Sequence, residues 1–108
     1  MAYNIELAER IQEQLQDVGG IVEKKMFGGV GFLLNGNMVC GVHGEDMIVR
    51  VGEAFDELLS HPHTRPFDMT GRPMKGWLIV ERAGLENDSD IKDWVQKGLS
   101  FASTLPPK

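Results

Sequence analysis

The chain has 108 residues, 42% of them hydrophobic and 25% charged, with a formal charge of −5 and a pI near 5.1. That composition excludes a disordered or fibrous chain, and the length suits one domain, residues 1–108, that closes a core without metal or disulfide. The acidic balance repels polyanions, so direct nucleic-acid binding is not expected, and the lone Cys40 rules out an internal disulfide and fits a reducing cytosol.

The start, MAYNIELAERIQ, lacks the basic and apolar regions of a signal peptide. No apolar run approaches the roughly 18 residues of a membrane span, so a cytoplasmic protein with no membrane contact is expected. Within YNIELAERIQEQLQDVGG, Leu7, Ile11, Leu15 and Val18 recur at helical spacing, with Asn4 placed to cap and Gly19 or Gly20 to end the helix. Four strand-sized runs follow, IVEKKMF, VGFLL, MVCGVH and MIVRV, separated by Gly28-Gly29, Asn35-Gly36-Asn37 and Gly44-Glu45-Asp46. A type I′ turn at Asn35-Gly36 sets Leu33 opposite Met38, Phe32 opposite Val39, Gly31 opposite Cys40 and Val30 opposite Gly41. Glycines at those positions notch the sheet.

EAFDELLS places Ala54, Phe55, Leu58 and Leu59 on one side of a short second helix that ends before Pro62. GWLIVE resumes strand character with apolar residues on both faces, as in a central or doubly covered strand. A last helix starting near Asp88 or Ser89 buries Ile91, Trp94, Val95, Leu99 and Ala102 ahead of Pro106-Pro107. The expected class is α+β: an antiparallel meander of about five strands covered by N-terminal, middle and C-terminal helices.

Four motifs in order carry a family resemblance: KKMFGG at 24–29, FLLNGNM at 32–38, RPFDMTGRPMKGW at 65–77, and a tail with Trp94, Phe101 and LPPK. Together they resemble the TfoX N-terminal domain family across essentially the whole chain. The resemblance implies an α+β sandwich with helices over an antiparallel sheet. Full-length members of that family regulate bacterial natural competence and carry a second, helical domain. This chain, ending at Lys108, resembles the stand-alone members. The family has no established catalytic residues to carry across.

The stretch from 65 to 77 concentrates the polar chemistry. Arg65, Arg72 and Lys75 oppose a single Asp68, and Gly71 and Gly76 free backbone amides to turn toward an anion such as phosphate or carboxylate. The competing reading is structural: Asp68 pairs with one arginine while Phe67, Met69 and Met74 plug the core. In either reading Phe67 and Trp77 anchor the loop. Arg50, the one charge inside MIVRV, is solvated or reaches a carboxylate partner or ligand.

Other constellations dissolve on inspection. KKMFGG lacks the P-loop pattern and the helix that must follow it, and GGVG is too short and wrongly placed for dinucleotide binding. His61 and His63 straddle a proline without zinc spacing, and Cys40 and His43 point to opposite faces of a regular strand. Glu86, Asp88 and Asp90 suit a helix start. Nothing calls for a metal or a cofactor. The function expected is therefore a non-enzymatic regulatory or adaptor domain with a protein partner. The alternative is a small-anion sensor or an enzyme using the Arg65 to Lys75 loop with Arg50. An edge or glycine-notched strand could also accept a second copy in a homodimer.

Overall fold

The first helix forms where its period and its cap agree. The computed structural model describes residues 3–26, 29–67 and 76–107, and in it α1 spans Ile5–Leu15 and buries Leu7, Ala8, Ile11 and Leu15. The Asn4 side chain accepts a hydrogen bond from the Leu7 N–H at 3.0 Å, satisfying one donor that a helix start leaves open. Gly20, at φ 85°, then turns the chain into the sheet.

Six strands follow in one antiparallel sheet: β1 (Ile21–Met26), β2 (Gly29–Leu34), β3 (Asn37–His43), β4 (Asp46–Arg50), β5 (Thr64–Pro66) and β6 (Trp77–Val80). Their spatial order is β1-β2-β3-β4-β6-β5. The additional strand beyond the expected five is β5, three residues ending in proline, where an edge position tolerates the missing N–H. Because β5 takes the edge, β6 lies inside the sheet and needs apolar residues on both faces, as GWLIVE has.

The β2–β3 hairpin departs from the expected register, and the departure is informative. Asn35 and Gly36 sit at φ 51° and 88°, as a type I′ turn requires, and Leu33 does face Met38. Beyond that pair the ladder shifts: Phe32 faces Cys40, Gly31 faces Gly41 and Val30 faces Val42, leaving Val39 as the extra residue of a bulge. Val39 and Cys40 can then both enter the main core, which strict alternation forbids. The two glycines meet each other, and a Cβ on Gly41 would lie 2.5 Å from the Val30 carbonyl oxygen.

A 3₁₀ turn at Gly52–Ala54 leads into α2 (Phe55–Leu58), and α3 (Asp88–Ala102) closes the fold. Helix α3 starts with a capping box between Asn87 and Asp90. Helices α1 and α3 pack on each other and on β3. The main core joins Ile11, Phe55, Ile91, Trp94 and Val95 to Phe32, Met47, Leu78 and Val80. On the opposite face a smaller cluster buries Ile48, Phe67 and Ile79, with Met38 and Trp77 against it. No helix among the described residues is long and apolar enough to cross a membrane.

The C-terminal tail is pinned to the hairpin. Buried Asn37 donates through Nδ2 to the Pro106 carbonyl at 2.9 Å. Asn37→Ala should lower stability by about 1 kcal/mol, read from urea unfolding, because it removes a part-buried hydrogen bond and leaves an acceptor unpaired. An unchanged midpoint would show that the tail does not dock.

Candidate functional site

The 65–77 stretch is anchored as expected at both ends. The Phe67 N–H donates to the Trp77 carbonyl at 3.2 Å, and the two rings lie 6.4 Å apart, tilted by 44°. Arg65, on β5, lies opposite Ile79 and forms ion pairs with Asp46 at 3.3 Å and Glu81 at 3.4 Å. Its charge is thus locally matched by carboxylates from β4 and the end of β6. These are surface pairs, with Arg65 44% exposed, and contribute at most about 1 kcal/mol. Asp68, Arg72 and Lys75 lie outside the described residues, as do Met69 and Met74.

Arg50 terminates β4 opposite Trp77. Its guanidinium carbon lies 5.2 Å from the centroid of the Trp77 ring and 5.3 Å from that of Phe101 on α3. A planar, delocalised cation within cation–π reach of two rings still has N–H donors to offer other acceptors. Arg50 makes no ion pair among the described residues.

Phe101 also lines an open groove of 790 Å³ between the Gly52–Leu58 segment and α3. Val51, Ala54, Leu58 and Phe101 supply its apolar lining, and Glu53, Glu57 and Asp93 its carboxylates. Lys97 lies at the same groove, with its ammonium 5.3 Å over the Trp94 ring. This feature escaped the sequence reading. One signal for it was present: Phe101 falls outside the Ile91, Trp94, Val95, Gly98 and Ala102 stripe that α3 buries, so it covers something else.

The remaining candidates are separated by the fold. Cys40 is fully buried while His43 is exposed, which keeps a thiol–imidazole pair from forming. Burial pushes the Cys40 thiol up to about 12. Its thiolate is therefore suppressed in the native state, and a thiol reagent at pH 8 should label Cys40 only after denaturant unfolds the chain. A raised folded value also means that stability falls as pH climbs from 9 toward 12, since the unfolded thiol ionises first. Rapid native labelling would contradict both statements. His61 packs edge-on against Trp94 at 5.7 Å, and His63 takes a left-handed turn at φ 65°. Lys24 and Lys25 lie exposed on the edge strand β1.

A family profile described as the TfoX N-terminal domain matches residues 13–102. The chain belongs to the TfoX N-terminal domain family. No curated protein and no solved structure matches it. In this TfoX N-terminal domain the matched span contains all six strands, α2 and α3, and therefore the Arg50 clamp and every lining residue of the groove except Thr104. The RPFDMTGRPMKGW motif borders the clamp, since it ends on Trp77.

Proposed function

We propose that this domain is a non-enzymatic regulatory or adaptor module that works through protein contacts in the cytoplasm. The observation supporting this reading is the groove: an apolar lining bordered by carboxylates and open to solvent. Surfaces of that make-up bind partners. Site-specific photocrosslinking in cells tests it. A crosslinker at Gln96 in the groove should yield discrete adducts that a crosslinker at Glu9, exposed on α1, does not. Equal background from both positions rejects the reading, as does a substrate turned over by the purified chain.

A second reading, a small-anion sensor, draws on the Arg50 clamp, because a guanidinium close to two rings and without an ion pair among the described residues can offer its N–H fork to a bidentate carboxylate or phosphate. Its test is a thermal-shift screen of phosphorylated metabolites. A ligand at 100 times its dissociation constant adds about 2.7 kcal/mol of stability. Loss of that shift in Arg50→Ala assigns the site, and a ligand whose shift survives the substitution rejects it.

A further inference from the structure

We propose that the groove between the Gly52–Leu58 segment and α3 receives a basic amphipathic helix of a partner protein. The proposal rests on the protein-contact reading above and names the chemistry of the partner.

Shape is the first argument. Along α3 the lining residues run from Asp93 through Gln96, Lys97 and Ser100 to Phe101, spaced by three or four, with Thr104 just past the helix end. That stripe covers about 12 Å, or roughly two helical turns, at 1.5 Å per residue. An elongated trough walled by the 52–58 segment and a helix offers no free strand edge within it, so an incoming chain gains affinity through side chains and not through a shared ladder. This is how helices bind grooves, with apolar anchors at i, i+3, i+4 and i+7.

Charge is the second. Glu53 and Glu57 stand on one wall and Asp93 on the other, and none forms an ion pair among the described residues. Lys97 follows Asp93 by four residues, the spacing at which such pairs form on a helix, yet its ammonium lies over the Trp94 ring. Asp93 therefore keeps its charge for another cation. Glu53 and Glu57 give one wall two like charges, which a lysine or arginine of the partner would offset. The net charge of −5 draws a cationic partner in and turns acidic segments and nucleic acids away.

Rigidity is the third. Phe101 lines the groove while its ring centroid lies 5.3 Å from the Arg50 guanidinium carbon, a contact that helps fix this apolar side chain before anything binds. A preset surface loses less entropy on association.

The test uses two synthetic amphipathic helices of about four turns, one with leucine and lysine and one with leucine and glutamate, titrated into the full chain by backbone amide NMR. The lysine peptide should bind in the micromolar range and move amides of the 52–58 segment and the outer face of α3. The glutamate peptide should bind roughly tenfold more weakly or not at all. The double charge reversal Glu53→Lys and Glu57→Lys, both exposed, should weaken the lysine peptide by about tenfold with an unchanged melting temperature. Phe101→Ala should weaken it through the apolar surface; if that variant unfolds, Ser100→Glu, which leaves the core intact, serves as the second probe and should strengthen binding. Equal affinity for both peptides, shifts confined to another surface, or charge reversal without effect each overturns the proposal. Failure here with specific adducts from Gln96 removes the basic helix and spares the adaptor reading, whereas failure of both removes both.

Discussion

Gly98→Ala destabilises this domain by about 1–3 kcal/mol, even though alanine in a helix interior normally gains about 0.5–1 kcal/mol over glycine. The sign reverses because of what lies against α3. A Cβ on Gly98 would sit 2.5 Å from the Val39 carbonyl oxygen and 3.0 Å from Val39 Cγ1. Backbone cannot rotate away as a side chain can, so either the helix lifts off the sheet or β3 is pushed back. The melting temperature should fall by several degrees, at about 4–8 °C for each kcal/mol. Gly19→Ala is the control: nothing lies within 4 Å of a Cβ there, and its φ is unexceptional. That variant should stay within about 0.5 kcal/mol of the parent. A Gly98→Ala protein as stable as the parent would sink the close-approach account.

Gly52→Ala should cost about 2–3 kcal/mol, from two sources that a second glycine separates. Gly52 has φ 58°, a left-handed conformation that costs an L-residue about 1–2 kcal/mol. Its Cβ would also overlap the Phe101 ring, which Arg50 holds in place. Gly44 shares the conformation at φ 61° with nothing within 4 Å, so Gly44→Ala carries the strain without the clash. Denaturant midpoints of the two variants should differ by the cost of displacing the ring, and the aromatic resonances of Phe101 should shift in Gly52→Ala alone. Identical costs at both positions would mean that the ring yields freely.

What could be read from sequence was whatever local chemistry decides. Asn4 caps α1 because a side chain three residues from Leu7 can reach its amide, and Asn35-Gly36 turns the hairpin because both residues accept positive φ. The two apolar faces of β6 followed from the run of residues itself. Other features needed the assembled molecule. Strand β5 has only Thr64–Pro66 to announce it and exists through its pairing with β6. The bulge at Val39 lies where α3 presses on β3 from some sixty positions further along the chain. Arg50 was singled out, yet its neighbours, Trp77 and Phe101, lie on elements that the order of residues does not bring together. The groove is of the same kind, since Glu53 and Asp93 meet only after folding. Of the cationic loop, Arg65 engages Asp46 and Glu81, a pairing across the sheet that residue order alone leaves open.

One planar cation within reach of two rings couples those rings in energy through itself. Removing Trp77 takes away one of Arg50's two aromatic contacts and so loosens its hold on Phe101; by reciprocity, removing Phe101 lessens what Trp77 has left to lose. Energies of the two deletions should sum to more than that of the pair, and the opening of β6 should be felt in the final turns of α3.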